Sequence, residues 1–596
     1  MVRSSARTSL IALSLLTAAA SLPFLPSEAR ADDELKLDWT GRIQTDLRFR
    51  IEDKSIGDFH SKLELPAGVE RNQNLFNLQL KSTFGRFRGV ASINFQLNGV
   101  TGKLNGLGDL SDYQKVQPFS FEPQALYIEG KDLFLKGLDL RIGHQIVSWG
   151  VADQFNPTNN LSADDLRDPL LFGRQQANFM VKLDYWVTKS LSLSGVLVPI
   201  FKPALLPFSA ALGVGAVDRL PFTNAAFRHR IEAENATSAS AQIGFPTTVS
   251  SATPVIPDPL PENMQGAIRI AGTIADQDVS LSYYNGRTDF PQPFLNHTKQ
   301  TAGLRCDPDD KTKCVKGLLE TDVSLMYPRM HVYGLNATGE VNPFKWISDK
   351  IHGVGYRFEA ALVVPERTTL KLIQDALNVA IPLPAGEYDY DNDGKPGGNE
   401  PAVVDATPFL KWTVGLDYAF GDHMYLNVQW VHGLADEFGA GDFLHEGYSV
   451  RQSGVTTSDA DTRARCVLSP QLTLIGDGTK CAREVLAPKL GDYAVIGADF
   501  KFFDDAMLVR LFTLWSMSGI TIDEWSETEQ KRTRKHYGLF TKEGFSAVLF
   551  PEVNYNFGNG LELGAGALIE LGKDYTKFGD PAAGGSTVFT RGKFSF

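Results

Sequence analysis

The sequence has few of the features that mark a helical membrane protein or a nucleic-acid-binding protein. After the first thirty residues, no apolar run approaches the roughly 20 residues that a membrane-spanning helix needs. The formal net charge is -12, and an acidic surface repels phosphates, so no nucleic-acid partner is expected. Any membrane crossing must therefore use strands, closed into a barrel that leaves no unpaired edge in lipid.

Common catalytic motifs are also missing. The sequence contains no G-x-S-x-G, no H-E-x-x-H and no G-x-x-x-x-G-K-[ST]. Four histidines, His144, His331, His423 and His432, stand apart from residue types that would make them catalytic bases. A barrel hydrolase can assemble a triad from distant strands, which leaves that alternative open. The sequence nevertheless predicts a protein that is not an enzyme.

Residues 1–31 have the pattern of a secretory signal peptide. Arg3 and Arg7 precede a short apolar core, and Ala29-Arg30-Ala31 fits the small-x-small cleavage rule. Two prolines interrupt the core, which argues against a membrane anchor, and no cysteine lies near the cleavage point. We expect an exported chain comprising residues 32–596.

The sequence does contain segments in which apolar and polar residues alternate with the two-residue period of a β-strand. Between Leu35 and Ile51, apolar residues such as Trp39 alternate with charged ones such as Arg48. A helix would scatter these charges around its circumference, whereas a strand separates them onto two faces. The same period runs through 408–420 and 423–434, which are joined by the two-residue turn Gly421-Asp422. This pattern predicts hairpins with one apolar face and one wet face.

Counting such segments predicts an all-β fold, a single transmembrane antiparallel barrel of about 18 strands. A soluble propeller is the alternative, but no repeat of about 40–50 residues is visible. Connections should alternate between short periplasmic turns and long extracellular loops. The long segments are 52–71, 99–121, 149–175, 202–262, 287–325, 364–407, 435–491, 519–543 and 573–585.

Two stretches resemble known outer-membrane proteins. The alternating terminus Val588–Phe596, which ends on Phe, resembles the terminal signature of Gram-negative barrels that their insertion machinery reads. Residues 141–150, RIGHQIVSWG, followed by Phe155-Asn156-Pro157, resemble a largely uncharacterised outer-membrane family, as does Tyr327-Pro328-Arg329. The chain is more distantly similar to alginate-export porins. The resemblance is specific over residues 140–185 and implies a barrel in the outer membrane of a Gram-negative bacterium.

The expected function is a channel or porin-like transporter for a small-molecule solute. Wall charges select solutes by sign, and an excess of arginine on the strands favours an anionic or polyhydroxylated one. Ion pairs that only brace the wall are the alternative. Segment 202–262 begins with apolar residues and is expected to fold into the barrel mouth as a constriction or plug. The pore-lining candidates are Arg42, Arg48, Arg50, Arg86, Arg88, Arg269, Arg329, Arg357, Arg510, Asp46 and Asp417.

Two local patterns lie in the long loops. Four cysteines, Cys306 with Cys314 and Cys466 with Cys481, suggest two loop-closing disulfides, although three connectivities exist. Residues 389–400 fit the calcium pattern D-x-D-x-D-G-x5-E, with an acidic surface loop as the alternative. Its ligands would be Asp389, Asp391, Asp393, Lys395 and Glu400. A surface-display barrel with a plugged lumen and calcium-stiffened loops is the second functional hypothesis.

Overall fold

A computed structural model describes residues 34–56, 63–102, 104, 106–168, 171, 173–207, 247–306, 314–342, 353–374, 402–404, 407–439, 448–455, 482–526 and 528–596. The predicted signal peptide, 1–31, and the predicted calcium loop, 389–400, lie outside these residues. Both remain predictions.

Eighteen antiparallel strands form one sheet that closes on itself. The predicted number of strands is confirmed. In chain order they are β1 Lys36–Arg50, β2 Gly68–Phe84, β3 Phe87–Asn98, β4 Phe119–Gly130, β5 Leu138–Gln145, β6 Asn178–Trp186, β7 Leu191–Val198, β8 Gln265–Ile274, β9 Gln277–Arg287, β10 Arg329–Val341, β11 Val354–Pro365, β12 Phe409–Phe420, β13 Met424–His432, β14 Asp492–Phe502, β15 Met507–Ser516, β16 Ser546–Asn556, β17 Leu561–Gly572 and β18 Thr587–Ser595.

Closure is made by the first and last strands. Strand β1 pairs with β18 from Arg42 opposite Ser595 to Arg50 opposite Thr587, and its other edge pairs with β2. Beyond the ladder, Gly41 and Phe596 exchange backbone hydrogen bonds of 2.9 Å in both directions. Every strand of this sheet thus has a partner on each side, which is the condition for crossing lipid with strands.

The two faces of the wall differ as the alternation predicts. On β1, the side chains of Trp39 and Ile43 are 60% and 53% exposed on the outer surface. Asp46 and Arg48, further along β1 on its other face, are only 1% and 4% exposed, because they point into the lumen and meet other side chains there. The outside is therefore apolar and the inside polar, the arrangement of a transmembrane barrel.

The connections also follow the expected alternation. Eight are short and nine are long, and because consecutive strands run antiparallel, all the long ones leave from the same end of the barrel. We call this the loop end and the other the turn end. The turn between β8 and β9 places Ala275 and Asp276 at φ of 52° and 61°. Two consecutive left-handed residues match the right-handed twist of the paired strands.

Strands in the long connections pair with one another and form smaller sheets, separate from the barrel sheet. One has five strands: Thr247–Pro254, Cys314–Met326, Gln292–Cys306, Thr368–Gln374 and Ala402–Val404. A second has four: Tyr448–Val455, Ala482–Pro488, Ile520–Ser526 and Lys531–Tyr537. Lys54–Ile56 pairs with Leu63–Leu65. In the part of the chain that the structure describes, helix is confined to the turns Leu107–Ser111, Tyr113–Val116, Pro261–Asn263 and Pro581–Ala583, and none of these helices could span a membrane.

The first cysteine pair lies at a hairpin end in the five-stranded sheet. Cys306 and Cys314 are direct partners in the antiparallel ladder. Directly opposed residues have Cα atoms about 4.5–5.5 Å apart, which falls within the range that a disulfide needs. Cys466 and Cys481 lie outside the described residues. Both disulfides remain predictions, and the register favours the Cys306–Cys314 pairing.

We predict that peptide mapping of the exported protein without reductant recovers Cys306 and Cys314 in one cross-linked peptide. The variant Cys314→Ser provides the matched control and should leave Cys306 open to alkylation. Recovery of both cysteines as alkylated thiols in the unreduced wild type would rule out this disulfide.

Candidate functional site

The long connection after β5 enters the barrel, and we call its described residues, 146–168, 171 and 173–177, the lumen segment. It contacts inward-facing side chains on strands that are remote in sequence. The Asn336 amide on β10 donates a 2.9 Å hydrogen bond to the carbonyl of Trp149, and the Thr413 hydroxyl on β12 donates one of 2.7 Å to that of Phe155. The lumen segment therefore reaches across to the wall made by β10 to β13.

Glu359 on β11 is the main anchor of the lumen segment. Its carboxylate accepts hydrogen bonds from the backbone amides of Val151, Ala152 and Thr158, at 2.8, 3.2 and 2.8 Å. The Thr158 hydroxyl donates a fourth, at 2.7 Å. The Glu359 side chain is 0% exposed. A buried carboxylate is costly unless hydrogen bonds satisfy it, and here the chain turn around residues 151–158 supplies the donors.

The sequence motif in this region explains the turn. The Asn159 side-chain oxygen accepts from the backbone amides of Trp149 and Gly150, at 2.6 and 2.7 Å. A Cβ atom on Gly150 would lie 2.4 Å from the Oδ1 atom of Asn156, so this position has no room for a side chain. The W-G and N-P pairs, on which the family resemblance rests, thus shape the part of the lumen segment that meets Glu359.

The far end of the lumen segment is fixed to β1 and β2. Arg48 donates two hydrogen bonds to Asp168, at 2.5 and 2.7 Å, and a third of 2.7 Å to Asp46. Arg71 approaches the same Asp168 carboxylate at 3.1 Å. All three members of the Arg48 group are almost fully buried. Removing one partner from such a buried group typically costs about 3–5 kcal/mol, because the remaining charge is left uncompensated.

A second cluster ties the lumen segment to β4. Arg167 and Arg174 both bind Glu122, at 2.7 and 2.9 Å, and both also bind Asp165. Burial by itself would raise the pKa of Asp165, but the hydrogen bond from Arg167 and the charges of the two arginines outweigh it and hold that pKa below its usual range. Asp165 is therefore an anion that binds both arginines, and Glu122 links them to the wall.

Within the described part of the chain, two chambers adjoin the lumen segment. The turn-end chamber has a volume of about 650 Å³ and is lined by residues of β13 to β17. The loop-end chamber has a volume of about 280 Å³ and is bounded by the lumen segment, the start of β12 and the residues after β9 and β13. Gln154 and Leu171 line both chambers. These two residues therefore mark the place where the chambers adjoin.

Ion pairs engage most of the arginines proposed from sequence. Arg357 binds Asp153 of the lumen segment and lies 3.4 Å from Asp417. Arg510 binds Asp499 through two hydrogen bonds of 2.7 Å. Their positive charge is largely matched on the spot. The remaining pairs are Arg48 with Asp46 and Asp168, Arg50 with Glu70, and Arg88 with Glu129.

Four candidates have other surroundings. Arg42 and Arg269 lie on barrel strands, Arg42 near Arg174 and Arg591, and Arg269 near Glu359 and Asp184. Arg86 lies in the turn between β2 and β3 and donates to the carbonyl of Asp132. Arg329 begins β10 at the loop end and donates to the carbonyl of Glu262. The last two therefore occupy the barrel ends.

Sequence reasoning placed the constriction in another loop. Segment 149–175 was expected only as a long exterior connection, and 202–262 as the plug. Residues 208–246 lie outside the described residues, so the expectation for that loop remains a prediction. Glu359 was also missed, although an acidic residue on the inward side of the apolar run F-E-A-A-L-V-V is a signal that could have found it.

A closed barrel of eighteen strands with an apolar outside and a lined interior belongs to the class of transmembrane β-barrels. No model of a known protein family and no curated protein matches this sequence, so the resemblances stated above remain predictions. Within the described residues, no cluster of three or more His, Cys, Asp or Glu side chains is placed to hold a metal ion.

The comparison with solved structures finds chains of low sequence identity that align over most of their length. OccAB1 of Acinetobacter baumannii is 8% identical with a TM-score of 0.41, covering 96% of this chain and 98% of its own. OccK11 (OpdR) of Pseudomonas aeruginosa is 9% identical with a TM-score of 0.38, covering 94% and 95%. The outer membrane channel DcaP of Acinetobacter baumannii is 8% identical with a TM-score of 0.33, covering 94% and 97%. These values carry over neither residue roles nor solutes.

We predict that Glu359→Ala loosens the lumen segment while the barrel remains folded. Three backbone amides and one hydroxyl lose their acceptor, and each unsatisfied buried group costs about 1–3 kcal/mol. Hydrogen exchange of the amides at 151, 152 and 158 should accelerate by at least tenfold. Glu340→Ala, an exposed glutamate on the neighbouring strand β10, is the control. Unchanged protection in Glu359→Ala would contradict the anchoring role.

Proposed function

We propose that the protein is an outer-membrane channel that passes a small solute by diffusion. The observation that carries this proposal is the pair of chambers on either side of the lumen segment, adjoining at Gln154 and Leu171. A segment held by Glu359 at one end and by Arg48 at the other narrows the lumen to a defined passage. Such a constriction imposes a size limit on what passes.

The proposed orientation places the loop end outside the cell. Both chain termini of the barrel lie at the turn end, where Phe596 meets Gly41, and bacterial barrels of this type have short periplasmic turns and long exterior loops. Export would use residues 1–31 as a signal peptide, and insertion would use the terminal strand β18. The apolar outer face would contact membrane lipid.

The charges of the interior favour an uncharged, polyhydroxylated solute over an anionic one. Five of the nine arginines suggested from the sequence have carboxylate partners, so much of the positive charge on the wall is matched where it lies. Interleaved donors and acceptors suit hydroxyl groups, which both donate and accept hydrogen bonds. This proposal therefore prefers the polyhydroxylated part of the sequence expectation, and the ion-selectivity measurement tests the anionic part.

A display barrel with a closed lumen is the second candidate. Its support is the number of buried hydrogen bonds and ion pairs that hold the lumen segment, which would suit a permanent plug as well as a constriction. The exterior loops would then carry the function, braced by the predicted disulfides and calcium site. The two candidates differ in conductance.

We predict stable ion-conducting steps when the purified protein is inserted in planar bilayers. Glu359→Ala should raise the single-channel conductance, because the segment that narrows the lumen is released, and Glu340→Ala should not. Deleting residues 205–217 tests the other proposed plug and should raise conductance only if that stretch also enters the pore. A correctly folded barrel with no current would favour the display function.

We predict weak ion selectivity in the wild type, measured as a reversal potential near zero in a potassium chloride gradient. The double variant Asp153→Asn with Asp417→Asn removes the partners of Arg357 and should shift the reversal potential toward anion selectivity. Asp258→Asn changes an exposed carboxylate that lines neither chamber and should have no effect. Strong anion selectivity in the wild type would contradict the charge argument.

A further inference from the structure

The loop-end chamber has an unusually apolar lining for the interior of a water-filled pore. Aromatic rings reach it from the lumen segment, from the start of β12 and from three long connections. Aliphatic side chains, including Leu434 and Leu514, complete the surface. Water forms few favourable contacts with such a lining, which therefore favours a solute with an apolar body. The rings belong to Phe155, Phe290, Phe409, Phe438 and Phe578.

Two aspartates in the lining, Asp164 and Asp289, are in contact through the backbone of Asp164. The backbone amide of Asp164 donates a 2.8 Å hydrogen bond to Asp289, and both residues line the chamber. Burial raises the pKa of Asp164 and of Asp289, and for Asp164 the neighbouring Asp289 charge raises it further. Lys411 also lines the chamber, with its ammonium group bonded to the Leu434 carbonyl at 2.6 Å. A raised pKa favours the protonated form of a carboxyl group, which donates a hydrogen bond as well as accepting one.

Two further acceptors in the lining are unsatisfied. The Gln154 Oε1 and Asn156 Oδ1 atoms are buried and have no hydrogen-bond partner among the described residues. Both residues line the loop-end chamber, beside the boundary with the turn-end chamber. A buried acceptor without a donor costs free energy, which a ligand carrying hydroxyl groups would recover once the side chain turns its oxygen toward the chamber.

We propose that the loop-end chamber is a binding site for an uncharged amphipathic solute, one with an aromatic or alicyclic body and hydroxyl groups. The body would pack among the phenylalanines, and the hydroxyls would bond Gln154, Asn156 and the Asp164–Asp289 pair. The volume of about 280 Å³ lies at the lower end of ligand pockets, which suits a ligand of one or two rings. This inference rests on the proposed channel function, because it makes the chamber the recognition site above the constriction.

The same contacts discriminate against two related classes of solute. An anionic analogue would lose its hydration among the aromatic rings, and the acidic residues of the lining, Asp164, Asp289, Asp436 and Glu437, outnumber the ammonium group of Lys411. A sugar or sugar alcohol would donate hydrogen bonds to the acceptors. Its hydroxylated body would lose bound water without gaining apolar contact with the aromatic rings. The chamber should therefore rank hydroxylated aromatic compounds above both.

The test is titration calorimetry on the full-length barrel in detergent, with heats of micelle partitioning subtracted. The probes are naphthalenemethanol, naphthoate and sorbitol, which are an amphipathic alcohol, its anionic counterpart and a hydrophilic polyol. We expect naphthalenemethanol to bind at least tenfold more tightly than either. Equal or tighter binding of naphthoate or sorbitol would overturn the proposal, as would no saturable heat with naphthalenemethanol.

Variants locate the site. Gln154→Leu removes an acceptor but retains the apolar contact, and should weaken naphthalenemethanol binding by about 3- to 10-fold. The double variant Asp164→Asn with Asp289→Asn should reduce the ratio of the affinity for naphthalenemethanol to the affinity for naphthoate. The matched control, Asp258→Asn with Asp422→Asn, makes the same chemical change at exposed positions outside both chambers. If Gln154→Leu binds as the wild type does, the site lies elsewhere.

Calorimetry also separates this inference from the proposed function. A barrel that conducts ions but binds no naphthalenemethanol remains a channel and loses the amphipathic site. A barrel that binds naphthalenemethanol at this site but shows no conductance retains the site and loses the channel.

Discussion

The requirement that every backbone hydrogen-bonding group of a lipid-exposed strand be paired governs this molecule. An open sheet edge in a membrane would leave a row of amides and carbonyls unsatisfied. The pairing of β1 with β18 removes that edge, and the exchange between Gly41 and Phe596 extends it to the chain end. The outer face is then free to be apolar. The inner face must satisfy its polar side chains by other means.

Some of those side chains pair with one another along the wall, and others are satisfied by the lumen segment. Glu359 would be an unpaired buried carboxylate without the amides of residues 151–158, and Arg48 would lack Asp168. The wall and the segment thus depend on each other, because each supplies the charge or the donor that the other lacks. The outcome is an interior with paired charges, a narrow middle and a chamber on each side.

The barrel could be predicted from the sequence because its signals are local. Alternation along β1 requires only neighbouring residues, as does the turn at Gly421 between β12 and β13. The lumen segment could not be predicted, because its contacts join residues far apart in the chain. Thr158 and Glu359 are 201 residues apart, and Arg48 and Asp168 are 120 apart. No periodicity indicates such pairings, and the W-G and N-P pairs point to a turn without indicating the residue that the turn contacts.

The central claim is that solutes pass beside Gln154, where the two chambers adjoin. The most direct measurement is single-channel recording of Gln154→Cys, with the four native cysteines replaced by serine, before and after a charged thiol-reactive reagent is added. Reaction should reduce the current stepwise with reagent from either side of the bilayer, because both chambers lead to this residue. A current that is unaffected although mass spectrometry shows Cys modification would contradict the account.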